Sequence, residues 1–485
     1  QNGVNPSDAV GLGQQQTQQR YLERQLHIFQ LRGSHELTNP QHKISWSGSY
    51  TTGKQGTPDL RLFINSYEEL PAGLIYFDQD GTNITEDAIA LLNDGENLEE
   101  YFPNYTIEET TSGDLVYSIQ DNLYPSPTRF FREMSNTTLD LKLNYSLPIL
   151  KNISDQNLLS FGISHVRKTR DYSENRYSFV SNGINFDGSP QEYFSSENMN
   201  IIPGTSNFIY LRDDTDRKNS YEAIQAVSGA YTMVDVDFTE LVKLNLGVRA
   251  ELTDMLLESQ IIKEEVLLPE QEELYRGTLN LIDVLPSINL SYKINENDLS
   301  ITNLRFSMSQ SVARPLFREK APFSVFDFEI QEQQTGNTDL TRTKISNFDL
   351  RLEKYPNLGE IISASLFYKY FQNPIEQVII STASNTEITW KNVNQASLLG
   401  CEFELKKNLR FISENLKNYS VAINTTLIKS ATDIEEDELE EILATDIDHP
   451  ETRPIFGQSP YIINSMINYT NDSIGLSINA SFNVS

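Results

Sequence analysis

GSYTTGKQ at 48–55 comes within one residue of a phosphate-binding loop, with Gly48, Gly53 and Lys54 in register. Such a loop cradles phosphates with backbone amides and places a hydroxyl on magnesium. Gln55 stands where that hydroxyl is needed, and no helix follows to present its amides. The segment closes the alternating run ISWSGSY, so it reads as strand and loop. SHEL at 34–37 stops short of a zinc-protease motif, and neither GxSxG nor an EF-hand loop occurs. His27, His35, His42, His165 and His449 are scattered, and the lone Cys401 can form no internal disulfide. The sequence therefore offers no catalytic constellation, no metal site and no cofactor site, and an enzyme reading has nothing to stand on. The acidic run DIEEDELEEILATDID (433–448) has the hard oxygen ligands that suit calcium, but it reads first as a solvated helical loop tip. Arg314, Arg318, Glu319 and Asn337 remain as candidate ligand contacts.

Composition narrows the partners. A formal net charge of -30 over 485 residues excludes a nucleic-acid ligand, because phosphate binding needs clustered Lys and Arg. No apolar run approaches the roughly 18 residues of a membrane-crossing helix. The negative mean hydropathy does not make the chain soluble. Strands that cross a bilayer are apolar on one face only.

Alternation dominates the chain. In SIGLSINASFNVS (473–485), Ile474, Leu476, Ile478, Ala480, Phe482 and Val484 fall on one face, against Ser and Asn on the other. LVKLNLGVRAEL, ISNFDLRLE and LLGCEFELK divide in the same way. The pattern predicts fourteen strands: 22–36, 42–53, 128–148, 157–172, 219–236, 241–258, 279–294, 298–314, 341–354, 360–379, 396–408, 417–430, 456–469 and 474–485. Many exceed the five or six residues usual in globular proteins, as tilted membrane-crossing strands do.

The connections alternate in length. Short turns fall at TNPQ (38–41), KNISDQ (151–156), DFTE (237–240), NEND (295–298), PNLG (356–359) and TNDS (470–473). Long loops fall at 54–127, 173–218, 259–278, 315–340, 380–395 and 431–455, the first carrying one short amphipathic helix over 86–102. An antiparallel up-and-down transmembrane barrel segregates its loops in this way. Tyr145, Tyr292, Tyr355, Tyr419 and Tyr469 sit beside the short turns, as an interfacial girdle would. The charged face would line a wet interior, and so wide a polar lumen conducts or holds a plug.

SQSVARPLFREKAPFSVFDF, GNTDLTRTKISNFDLRLEKYP, GEIISASLFYKYFQNPIEQVI, LLGCEFELKKNL and GQSPYIINSMINYTND closely resemble outer-membrane TonB-dependent receptors of Bacteroidota. A weaker similarity reaches back to YLERQLHIFQLRGSHEL. The resemblance implies a 22-stranded barrel occluded by an N-terminal plug, which imports metal chelates, vitamins, glycans or peptides through the TonB complex. Residues 1–485 then read as the central part of the barrel domain in the bacterial outer membrane. The plug, the TonB box and the last strands would lie outside them.

Outer-membrane lipid, TonB, an unidentified imported ligand and a surface lipoprotein are the partners expected. A passive porin-like channel and a surface adhesin or scaffold barrel are the other functions this architecture allows. At the outer rim, Leu304, Phe306 and Met308 should face lipid, and Arg305, Ser307, Ser309 and Ser311 the lumen. Arg314 has lipid-side parity but lies about 25 Å up a tilted strand from Leu304, above the apolar band. There it should meet headgroups or loop carboxylates. Bracing of the loop is the favoured role for these rim charges.

Overall fold

The computed structural model describes residues 2–3, 12–37, 42–69, 73–79, 82, 84–93, 96–110, 115–119, 127–150, 157–199, 207–297, 300–327, 332–381 and 386–485. The turns expected at 38–41 and 151–156 lie outside these residues, and the one at 295–298 does so in part. The chain divides into two compact units, the first comprising 1–24, 55–133 and 174–216 and the second 25–54, 134–173 and 217–485.

The second unit is an antiparallel ladder. Its strands are β1 (Glu23–Leu37), β2 (His42–Glu69), β3 (Thr128–Pro148), β4 (Leu158–Asn182), β5 (Tyr221–Asp237), β6 (Val242–Ser259), β7 (Arg276–Asn297), β8 (Ser300–Ala313), β9 (Thr343–Tyr355), β10 (Ile361–Gln372), β11 (Gln395–Asn408), β12 (Tyr419–Asp433), β13 (Tyr461–Asn471) and β14 (Leu476–Val484), of which residues 23–24, 55–69, 128–133 and 174–182 belong to the first unit. From β4 onward each strand pairs with the next in chain order, as in an up-and-down meander. Successive side chains alternate in face, so these registers stack apolar on apolar and polar on polar. Phe306 lies opposite Leu290 and Leu350, and Met308 opposite Ile288 and Phe348. On the other face Arg305 lies opposite Ser291 and Arg351, and Ser307 opposite Asn289 and Asp349. Leu246, Val248, Leu252, Ile282, Leu350, Leu366, Leu399 and Phe403 are exposed along the apolar face. A water-soluble protein rarely exposes so continuous an apolar surface.

The structure departs from the alternation pattern at several places. Strand β2 runs on to Glu69, where a loop was expected from residue 54. Gly53, Gly56 and Pro58 interrupt the sequence signal, but the backbone stays extended through them. The helix expected over 86–102 is two, Thr85–Asn93 and Leu98–Tyr101, the second capped by the Asn97 side chain. The strand expected over 360–379 breaks at Asn373, which adopts φ 50°, a left-handed conformation that Asn tolerates. Pro374 follows, and Ile375–Ser381 enters a separate sheet. Four of the five tyrosines near the short turns share the apolar-face parity, and Tyr419 and Tyr469 pair across strands at 4.8 Å. Tyr355 instead shares the parity of Arg351 and Glu353.

The first unit has its own aromatic core. Phe186 and Tyr193 are buried against Phe63, Tyr117, Phe179 and Phe194. Edge-to-face contacts such as Phe179–Phe194 at 4.9 Å and Phe63–Phe186 at 5.3 Å knit it together. Each such pair contributes about 0.5–1.5 kcal/mol beyond area burial. Gly73–Phe77 and Thr106–Thr110 form a separate two-stranded sheet in this unit.

Candidate functional site

Charged side chains link the polar faces of β8 to β11. Arg305 Nε donates to Glu353 Oε1 at 2.5 Å and Arg351 Nε to Glu353 Oε2 at 3.0 Å. Arg351 also reaches Glu404 at 2.8 Å and Ser365 at 3.2 Å. Asn303 adds a bond to Glu353 at 3.3 Å, and Lys369 donates to Asn347 at 2.7 Å. The carboxylates and guanidiniums thus satisfy one another across strands, which is how a charge-bearing wall avoids self-repulsion.

The long connection between β8 and β9 folds back, through its described residues 314–327 and 332–342, onto this same face of β5, β6 and β7. An arginine anchors each end of it. Arg314 donates to Glu251 Oε2 at 2.6 Å and Thr253 Oγ1 at 2.8 Å, both on β6. Arg342 donates to Asp283 Oδ1 on β7 at 2.5 Å. Glu251 and Asp283 are direct cross-strand partners, so the two anchors land side by side. Between them Ala321 and Phe323 bury against Tyr221, Ala223 and Leu257, with Tyr172, Phe317 and Val325 at the margin. The connection is therefore a strap, held by ion pairs at its ends and apolar packing in its middle.

Lys320 lies inside the strap and is 1% exposed. Its ammonium donates to the Leu340 carbonyl at 2.7 Å and to that of Thr338. Burial pushes it down to about 8, against the pull of Asp339. Its methylene stem crosses Gly277 at the start of β7, where a Cβ would come within 3.0 Å of Lys320 Cγ. Gly336 allows a closer approach, since a Cβ there would sit 1.9 Å from the Ala321 carbonyl oxygen.

Three long connections meet in one small assembly. Ser324–Asp327 and Glu332–Thr335 of the strap join Ile375–Ser381 and Thr386–Asn392 of the next long connection in a four-stranded sheet. The seam between them, Glu332–Thr335 against Thr386–Asn392, is parallel. Asn392 bonds both Thr341 and Asn373, fixing the two connections at their roots. The helix Glu436–Thr445 of the third connection is held by Lys391, which pairs with Glu435 at 2.9 Å and Asp437 at 3.1 Å. Arg453 adds a pair to Glu438 at 2.6 Å and a bond to the Gln377 carbonyl at 3.1 Å.

The rim residues singled out in the sequence all fall in this assembly. Arg314 meets a carboxylate, but one on strand β6 where a headgroup or a loop carboxylate was expected. Strand β8 ends at Ala313, so alternation no longer governs the next side chain, which turns onto the polar face of β6. Arg318 donates to Gln334 within the strap. The Glu319 carboxylate accepts the Leu316 N–H at 2.8 Å, and burial pushes its pKa up despite that bond. Asn337 ties the strap to its neighbour through the Trp390 carbonyl at 2.9 Å. Glu251, Asp283, Arg342 and Lys320 were missed. The first two look like any other polar-face residue, and their partners lie 63 and 59 positions away. The acidic run is a helix, as expected, and Glu435, Asp437 and Glu438 also pair with cations, Asp437 from an exposed position. Among the described residues no group of three or more His, Cys, Asp or Glu is placed to hold a metal ion.

The sequence model described as TonB dependent receptor-like, beta-barrel matches residues 16–482. The chain belongs to that family. As a TonB-dependent receptor barrel it is all-β and a protein of the bacterial outer membrane. No curated protein sequence matches it. Solved structures to which it is similar include the siderophore receptor PirA from Pseudomonas aeruginosa, at 11% identity, covering 96% of this chain and 70% of that one, with a TM-score of 0.39. The alcaligin outer membrane receptor FauA from Bordetella pertussis gives 11%, 97%, 63% and 0.44. The copper transporter OprC gives 12%, 95%, 61% and 0.49. The chain thus spans between 61% and 70% of the length of these three proteins. In a TonB-dependent receptor barrel, hydrocarbon takes the apolar face, because a charge at the bilayer midplane costs about 2–4 kcal/mol. The Arg305–Glu353–Arg351–Glu404 network is then on the interior side.

Proposed function

We propose that this chain supplies the wall and an outer gate of a TonB-dependent transporter that imports a bulky, scarce ligand, with energy coupled through TonB. The observation that carries the reading is the strap: a long connection docked on the polar face by two arginine–carboxylate pairs. It narrows the route along that face and can be released without unfolding the ladder. Metal chelate, glycan, peptide and vitamin remain the ligand classes. A surface lipoprotein is the partner that would deliver the larger ones. Arg318, Glu319 and Asn337 serve this reading by keeping the strap in shape, and Arg314 by anchoring it.

The test is growth and uptake in the native host. A chromosomal deletion is compared with wild type on a panel of ferric siderophores, haem, cobalamin, oligosaccharides and peptides as limiting nutrients. Import predicts loss of growth on one class, and the same loss when the proton-motive force is collapsed. Uptake that survives that collapse would establish a passive channel instead. Unchanged growth on every nutrient would leave the surface-scaffold reading standing and remove import.

A further inference from the structure

The first unit holds a cavity of about 360 Å³ that none of the rim residues touches. Phe63, Phe179 and Phe194 form its apolar wall, and Arg61 and Arg129 lie at its edge. The wall is rigid, since its rings are locked edge to face at 4.9 Å (Phe179–Phe194) and 5.7 Å (Phe63–Phe194). Asp59 is the acid that holds the two guanidiniums together. Its Oδ1 accepts Arg129 Nε at 2.9 Å, and its Oδ2 accepts Arg129 Nη2 at 3.0 Å and Arg61 Nε at 2.8 Å. Arg61 Nη2 lies 2.6 Å from the same oxygen.

The charge balance of this trio decides what the cavity suits. Two guanidiniums and one carboxylate leave a net charge of one positive unit. Each guanidinium carries five N–H donors, and Asp59 takes only the Nε and Nη2 edge of each. The Nη1 edges retain donors in the planar fork that matches a carboxylate. The chain as a whole carries a net charge of -30, so a local positive unit beside three aromatic rings runs against its background. The Arg61 side chain is 57% exposed, so an incoming anion reaches it from water. A volume of 360 Å³ lies near the lower end of the roughly 300–1,000 Å³ of small-molecule sites, enough for one or two fused rings.

We propose that this cavity binds a small aromatic carboxylate, its ring stacked among Phe63, Phe179 and Phe194 and its anion on the free edges of Arg61 and Arg129. The inference deepens the import reading by naming the chemistry of the group recognised. Binding itself requires no transport.

The test is isothermal titration calorimetry on the purified full chain in detergent micelles, with 2-naphthoate as probe. 2-Naphthamide and acetate serve as controls. Saturable binding of the naphthoate is expected, at least about tenfold tighter than the amide, as one charge-assisted contact of ~1.4 kcal/mol provides. Acetate should not compete, because it lacks the ring. Arg61→Gln, at an exposed position, should weaken the naphthoate about three- to tenfold, and Arg129→Gln at least as much. Phe194→Leu, checked for folding by its circular dichroism, should weaken acid and amide alike. Equal affinity for acid and amide, or unchanged binding in both arginine variants, would overturn the proposal. Naphthoate binding in a protein whose deletion leaves every nutrient uptake intact would remove import and keep the site. Energy-dependent uptake without naphthoate binding would do the reverse.

Discussion

Two sets of arginine–carboxylate pairs occupy one face of the same ladder and differ in what covers them. In the open set, the Arg305 side chain is 53% exposed and Arg351 30%, around a Glu353 that is 4% exposed. In the covered set, Arg314 and Glu251 are 16% and 12% exposed, and Arg342 and Asp283 15% and 1%. The open set joins strands β8, β9 and β11, which the backbone ladder already holds. The covered set joins a connection to a wall it would otherwise leave. Water can replace a partner in the first and cannot in the second. Similar chemistry is therefore incidental to stability in one place and decisive in the other.

Removing Asp283 should give the largest effect. Asp283→Ala leaves Arg342 buried without its partner, a loss of about 3–5 kcal/mol for a buried pair. Thermal denaturation in detergent should show it, and limited proteolysis should now cut within 314–342. The double variant Asp283→Leu/Arg342→Met removes both charges and should restore most of the melting temperature. If Asp283→Ala melts like wild type and resists protease, the contrast between covered and open pairs fails.

Lys320 gives an intermediate effect that depends on pH. Its folded-state value of about 8 lies below that of the unfolded chain, so between these two values the unfolded state binds more protons. Stability should therefore rise as pH climbs from about 8 towards 10, and the cost of burying the charged form is fully present below pH 8. The difference in melting temperature between wild type and Lys320→Met should change across that window. A constant offset would show that Lys320 does not titrate there.

Arg305→Gln should have the smallest effect, about 0–1 kcal/mol, because Arg351 and Asn303 still satisfy Glu353 and water reaches the site. A loss approaching that of Asp283→Ala would erase the distinction.

The ladder was legible because alternation is a strong, local signal. Leu304, Phe306 and Met308 declare their face within five residues, and each neighbouring strand repeats the statement. What failed were the places where local rules stop governing. Arg314 lies one residue past the end of a strand, and its partner is a carboxylate on strand β6 where headgroups or loop carboxylates were expected. The Gly53–Pro58 stretch looks like a loop, yet β2 continues through it in extended form. The strap anchors were invisible for a different reason. Glu251 alternates like any interior residue, and nothing nearby marks it as the partner of a side chain 63 positions on. The rim candidates stood out by position alone, and their partners needed the three-dimensional arrangement.

The parallel seam between Glu332–Thr335 and Thr386–Asn392 bears on how such a receptor diversifies. A parallel pairing fixes the register of two connections that are far apart in sequence, so neither can gain or lose residues there alone. Insertions will be tolerated at their tips and rejected along the seam. Grafting specificity from a related barrel will therefore succeed when residues 314–342 and 373–394 are exchanged together. Moving either one singly will leave unmatched edges.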